Sequence, residues 1–221
     1  MNLPESKSFP NGHSIIRQLA GEQPFSKNGT GLSKEEKIDS IAGHFREIMI
    51  VLGLDPDAGS LKDTPARVAR MYINETFSGL DKVNEPEITL FENNYHYTEM
   101  LVEKNISVYS TCEHHFVPII GKAHIGYIPN GRVVGLSKLN RIVHYFSRRP
   151  QVQERLTTDI AAYLKKALHT EDVAVVIEAT HLCIAARGIR DVDSSTITAS
   201  FNGQFLNTAK RREFNDRINH K

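Results

Sequence analysis

Both cysteines of the chain and three of its ten histidines fall in two short stretches, Ser110-Thr111-Cys112-Glu113-His114-His115-Phe116 and Thr180-His181-Leu182-Cys183. A thiolate and an imidazole three residues apart, Cys112 and His115, joined by a second thiolate from Cys183, make a donor set of Cys2His type. Zinc held by three protein ligands keeps a fourth position for water, which is the catalytic rather than the structural arrangement. His181 adds a second functional imidazole two residues from Cys183. Free cysteines are also common as small buried apolar residues, adjacent histidines are common on surfaces, and a lone Cys-x-x-His often arises by chance. That both cysteines sit inside His-containing motifs favours the metal.

Charged residues beside these motifs point to what the metal would act on. Lys138 and Arg141 are three apart, on one side of a helix, and Arg187 and Arg190 follow Cys183. Each alone reads as a solvated surface charge; beside a metal they form a clamp for a polyanion such as a nucleoside triphosphate. Glu154 falls in the first turn of a predicted helix, where the dipole favours a carboxylate anyway. Its functional reading is a bidentate acceptor for the N1–H and exocyclic amine of guanine. Arg67 falls in the first turn of another predicted helix, where the dipole opposes it, and reads either as a solvated arginine or as one facing an anionic ligand.

The elements that must position these residues show as changes of hydrophobic period. Residues 1 to about 30, rich in Pro, Gly, Ser and Asn, carry no sustained period and are expected to be mobile, with a short helix near Ile15 to Leu19. A capping box, Ser33-x-x-Glu36, opens a helix with the apolar stripe Ile38, Ile41, Phe45, Ile48 and Leu52 and with Gly53 at its end. A second helix starts with Thr64 as N-cap and Pro65 at the first position and runs to about Phe77, so residues 31–85 read as a helical hairpin.

Beyond it the runs Ile88 to Phe91, Met100 to Ser110, Ile119 to Ile128 and Val133-Val134 read as strands, with a turn at Pro129-Asn130-Gly131. Ser137 is placed to cap a helix with the stripe Leu139, Ile142, Val143 and Phe146. Pro150 ends that helix and opens another, which carries Val152, Leu156, Ile160, Tyr163, Leu164 and Leu168. Strands from Val173 to about Ala185 and from Thr196 to Phe201 follow, and the basic tail around Lys210-Arg211-Arg212 reads as a solvated terminal helix. Residues 86–221 thus form an α+β unit, a largely antiparallel sheet with two helices on one face.

Strand parity constrains the motifs. Cys112 and His115 would point to opposite faces of an ideal strand, so the chain must turn or bulge there, and Pro118 close by is consistent with that. His181 and Cys183 share parity in the long strand predicted from Val173 to Ala185 and would project to one face.

A net charge of +1 over 221 residues gives no global reason to expect nucleic acid or an anionic membrane as partner. No apolar run approaches a membrane span, and the first residues lack the apolar core of a signal peptide, so a cytoplasmic location is expected. In that compartment cysteines serve as metal ligands, catalysts or buried residues more often than as disulfides.

Four motifs in order, Ser110-Thr111-Cys112-Glu113-His114-His115-Phe116, Gly135-Leu136-Ser137-Lys138-Leu139-Asn140-Arg141, Arg149-Pro150-Gln151-Val152-Gln153-Glu154-Arg155-Leu156 and His181-Leu182-Cys183 through Ala186-Arg187-Gly188-Ile189-Arg190, are similar to those of GTP cyclohydrolase I. The resemblance runs from about Ile38 to Phe205. It implies a zinc hydrolase that converts GTP and water to 7,8-dihydroneopterin triphosphate and formate, at the entry to pterin and folate synthesis. Carried over by motif position, Cys112, His115 and Cys183 are implied as zinc ligands and His114 and His181 as acid/base imidazoles. Gln153 and Glu154 are implied as guanine readers and Ser137 as a residue near the ribose. Lys138, Arg141 and Arg187, with Arg67 from a neighbouring subunit, are implied as the triphosphate clamp. The implied fold is the T-fold, assembled as a homodecamer with sites at subunit interfaces.

Other readings fit less well. A cytidine-type deaminase lacks its His-x-Glu and Pro-Cys-x-x-Cys signature here. A T-fold enzyme with a cysteine nucleophile would not need Cys-x-x-His. A scaffold with structural zinc would need a fourth protein ligand, recruited from a residue such as His114 or His181.

Overall fold

A satisfied helix start opens the first described helix. The computed structural model describes residues 30–220, so the mobile segment and short helix expected before residue 30 lie outside the described residues. Ser33 N–H donates to Glu36 Oε2 at 2.7 Å and Glu36 N–H donates to Ser33 Oγ at 3.2 Å, which completes the capping box at the start of α1, Lys34–Val51. The stripe expected along α1 is only partly covered. Ile38, Ile41 and Phe45 are half-buried, Ile48 and Leu52 are exposed, and Met49 is the buried residue of the helix.

Helix α2, Thr64–Met71, packs against α1 as a hairpin. Its N-cap is Asp63, not Thr64, which is already helical, and the chain passes through one π turn, Tyr72–Thr76, before Phe77. Gly79 then docks this region onto the sheet domain: its N–H donates to Arg148 O at 2.9 Å and its O accepts from Arg149 Nε at 2.8 Å. A Cβ at Gly79 would stand 2.1 Å from Tyr145 O, so only glycine permits this approach. From Leu32 onward the chain forms one compact unit, and among the described residues no helix is long and apolar enough to cross a membrane.

Strands β1, Leu90–Glu92, and β4, Arg132–Val134, pair as a small antiparallel ribbon. The main sheet uses β2, Leu101–Cys112, β3, Pro118–Tyr127, β5, Pro150–Gln151, β6, Val173–His181, and β7, Thr196–Phe201, in the order β5-β2-β3-β6-β7. All pairs are antiparallel except the short β2–β5 pair, Thr111 against Pro150 and Cys112 against Gln151. Helices α3, Leu136–Ser147, and α4, Gln153–Leu168, lie on one face. The expected stripes supply the core there: Leu139, Ile142, Val143, Leu156, Ile160 and Leu164 are fully buried against Val173, Val175 and Ile177.

Several local expectations change. The N-cap of α3 is Gly135, so Ser137 lies inside the helix and exposed, without a capping bond. Pro150 belongs to a strand rather than a helix start, and Val152 caps α4. Strand β6 stops at His181, and Leu182–Ala185 forms a single helical turn, α5. The tail does form a helix, α6, Thr208–Asn219, but not a merely solvated one: Phe214 is fully buried with Phe205 against the other face of the sheet.

One irregularity in β2 decides which way Cys112 faces. Leu101 packs on the helix-covered face and Val102 on the opposite one; Glu103 pairs with Ile125, yet Ile106 pairs with Ala123, so one extra residue is inserted. After this bulge, with Asn105 at φ +63°, the even-numbered residues Ile106, Val108 and Cys112 face the helices. Without it, alternation would turn Cys112 away.

The bulge is pinned by Asn105 N–H, which donates to Nδ1 of the buried His124 at 3.3 Å. Burial lowers the His124 pKa; Glu178 opposes this, while Lys122 and Lys104 reinforce it. The unfolded chain therefore takes up this proton first, so stability is expected to fall as pH drops through the ordinary value of 6.5. Melting at about pH 7.5 and 5.5 should show a shallower pH dependence in His124→Gln than in the wild type. Equal slopes would remove His124 from the account.

Candidate active site

The two motifs meet at one end of the sheet. After Cys112 the chain turns through Glu113-His114-His115, with Cys112 N–H donating to Val117 O and Phe116 N–H to Cys112 O, both at 2.8 Å. Phe116 takes φ +54°, unusual for a bulky residue. Its ring packs edge-on against Phe77 at 5.3 Å between centroids, so the helical region braces the turn. The turn expected from parity is therefore present. On β6 the second motif departs from expectation, because Cys183 is carried by α5 and not by the strand.

Cys112, His115 and Cys183 come together, with one ligand atom from each lying within 4.8 Å of the others. Cys112 Sγ is 3.8 Å from His115 Nδ1. Sulfur and nitrogen sharing a tetrahedral zinc would stand about 3.6 Å apart, so the donor set and its spacing fit a metal ion. Cys112 is buried, Cys183 half-buried and His115 exposed, leaving one side open. Burial raises the Cys183 thiol pKa, and the neighbouring Cys112 raises it further, while the Arg187 charge pulls the other way. Two adjacent thiols resist ionising together, and a bound cation removes that conflict.

Two further imidazoles flank the group. His114 is largely exposed, with Nδ1 3.9 Å from Cys112 Sγ and Nε2 3.9 Å from Glu113 Oε1. His181, at the end of β6, has Nε2 2.7 Å from Gln153 Oε1. The two carbonyls beside Gln153 orient its amide: the two N–H groups of Nε2 are shared among Ile177 O at 3.0 Å, Thr196 O at 2.9 Å and Thr198 Oγ1 at 3.2 Å. Oε1 must then accept, so His181 carries its proton on Nε2 and leaves Nδ1 as a base. Burial lowers the His181 pKa, with the Glu154 carboxylate opposing.

The remaining expected residues are spread more widely. Gln153 is buried, so its side chain is occupied in holding His181, whereas Glu154 beside it is exposed. Ser137, Arg141 and Arg187 are exposed and Lys138 is half-buried. Arg67 pairs with Asp63 at 3.2 Å, which gives it a local partner against the helix dipole. Among the described residues, Arg67, Lys138 and Arg141 make no hydrogen bond or ion pair with the Cys–His group. A cavity of about 430 Å³ along β2 and α3, lined by residues including Tyr109, His144 and Arg148, contains none of the expected site residues.

Residues 41–219 match the family model described as GTP cyclohydrolase I. The chain belongs to the GTP cyclohydrolase I family. It is 53% identical over 197 residues to GTP cyclohydrolase 1 of Flavobacterium johnsoniae, covering 89% of this chain and 88% of that protein. It is 50% identical over 214 residues to GTP cyclohydrolase 1 of Aliivibrio fischeri, covering 96% and 97%. A solved structure, the archaeosine synthase QueF-Like in the apo form, is similar with TM-score 0.39 and 17% identity over 46% of this chain and 90% of that chain, too slight a likeness to bear on the fold. As a member of the GTP cyclohydrolase I family the chain is an enzyme.

Sequence reasoning missed Arg155, which is buried behind the Glu113–His115 turn and paired with Glu113. Its place in the first turn of α4, against the helix dipole, was the available signal. The geometry also predicts what metal analysis should find. Cys112→Ala, His115→Ala and Cys183→Ala should each lower bound metal from about one ion per chain to a small fraction of that while circular dichroism stays native. Full metal content in any of the three would remove that residue from the ligand set.

Proposed function

We propose that this chain hydrolyses GTP to 7,8-dihydroneopterin triphosphate and formate, with zinc held by Cys112, His115 and Cys183. The observation that supports this best is the meeting of a three-donor group, open on one side, with two imidazoles that are not part of it. Zinc, when bound there, supplies Lewis acidity that makes water a nucleophile near neutral pH. His181 and His114 move the protons. Nδ1 of His181 is free to take up a proton and, as the imidazolium, to pass it to N7 of the purine, which makes C8 electrophilic toward water. Gln153 keeps that ring in one tautomer. Opening of the imidazole ring leaves a formamide, and a second hydrolysis releases formate.

In this reading Glu154 recognises guanine through its exposed carboxylate. Gln153 contributes its backbone N–H at the start of α4, since its side chain is engaged with His181. Ser137 lies near the ribose, and Lys138, Arg141 and Arg187 hold the triphosphate. Arg67 would join them from a neighbouring subunit, after exchanging Asp63 for phosphate. A division into a helical region, 31–85, and a T-fold catalytic domain, 86–221, belongs to the same proposal. So do assembly into a homodecamer with sites at subunit interfaces and a cytoplasmic location.

Metal-loaded protein incubated with GTP should release one formate per fluorescent pterin formed after oxidation; absence of formate would refute the assignment. Glu154→Ala should lower kcat/KM for GTP by at least about 100-fold, given about 1.5–3 kcal/mol for each hydrogen bond to a charged group. Unchanged turnover in that variant would place guanine recognition elsewhere.

A further inference from the structure

Arg155 is 8% exposed and has no part in the reaction as set out above. Two of its three guanidinium nitrogens, Nε and Nη2, make hydrogen bonds. Nε donates to Gln151 Oε1 at 2.8 Å, and Nη2 donates to Pro150 O at 3.3 Å and to Glu113 Oε2 in a close ion pair. Gln151 is itself fully buried: its Nε2 donates to Phe146 O at 3.3 Å, and its backbone O accepts from Glu113 N–H at 3.1 Å. A rigid path thus runs from the end of α3 through β5 and α4 to Glu113, the residue between Cys112 and His114. The other oxygen of that carboxylate faces His114 Nε2 at 3.9 Å.

This arrangement is expensive. A guanidinium buried in the first turn of a helix opposes the dipole and loses hydration, and buried ion pairs rarely repay that in stability. What the pair does supply is geometry. The planar guanidinium fork places Nε on Gln151 and Nη2 on one oxygen of Glu113, which restrains where that carboxylate can sit. Glu113 can be held there only if the turn carrying Cys112, His114 and His115 takes its observed shape.

We infer that Arg155 is a positioning residue, which acts through Glu113 to hold the Cys112–His115 turn in the form that receives the metal and to set His114 beside it. The inference rests on the metal reading proposed above.

Full-length protein stripped of metal and titrated with Co2+ against a competing chelator tests it. The titration reads affinity and, separately, the thiolate-to-cobalt charge-transfer band. Glu113→Gln and Arg155→Met should each weaken Co2+ binding about 10–100-fold and alter the band. Arg155→Lys should recover part of the loss, because it restores charge but not the fork. The double variant Glu113→Gln/Arg155→Met should bind no more weakly than the weaker single variant, since both changes break one path. Wild-type affinity and band in folded Glu113→Gln would overturn the inference, and this half-exposed position decides the matter if Arg155→Met does not fold. Failure of the wild type to bind Co2+ would sink the metal reading itself, and the inference with it.

Discussion

Strand β3 lies between β2 and β6, so the ends of those two strands are two interstrand spacings apart, about 9–10 Å. The ligand atoms they deliver lie within 4.8 Å of one another. No continuation of flat strands satisfies both distances, and the structure around the site follows from this conflict. Both chains must leave the sheet and bend toward each other over the start of β3. On one side the Glu113–His115 turn does this, with Phe116 forced to a positive φ; on the other, the single helical turn Leu182–Ala185 does.

A convergence made of turns has few ladder hydrogen bonds of its own, so neighbouring layers must supply rigidity. The bulge at Asn105 sets the phase that aims Cys112 at the helix-covered face. Gln153, donating to β6 and β7 and accepting from His181, ties the second motif to the first turn of α4. Arg155, one position past Glu154, ties the first motif to the same turn. The start of α4 therefore serves both halves of the site, while its later turns, Ile160 and Leu164, serve the core.

How far this was legible depends on whether the information is carried by residue type or by direction. The donor set showed in the sequence because cysteine is scarce here and both copies sit among histidines. The helices α3 and α4 showed because their apolar stripes are regular and truly buried. The end of β6 did not, because Leu182-Cys183-Ile184-Ala185 suits a strand as well as a helical turn, and only the three-dimensional distance to Cys112 forbids the strand. Arg155, and the hold of the Gln153 side chain on His181, were missed for a related reason. A polar residue in an amphipathic helix reads as solvent-facing, and nothing local reveals that a carbonyl or carboxylate from a distant strand waits behind it. The dipole reasoning applied to Arg67 had equal force at Arg155, where the arginine itself is buried; Asp63 satisfies Arg67 at the surface.

The exposure of the site in a single chain has a consequence for the proposed chemistry. A triphosphate held by Arg141 and Arg187 in the open would gain little, since charges about 4 Å apart in bulk water attract by only about 1 kcal/mol, and several-fold more where the effective dielectric is lower. The same chain leaves Ile48, Ile50, Val51, Leu52 and Leu54 exposed around the end of α1. In the proposed assembly, the approach of another subunit would cover this apolar surface and wall in the proposed polyanion site. That approach would bury the first by the hydrophobic effect and lower the dielectric around the second. In the proposed assembly, tight substrate binding would be coupled to subunit association, because the clamp would gain strength in the closed interface.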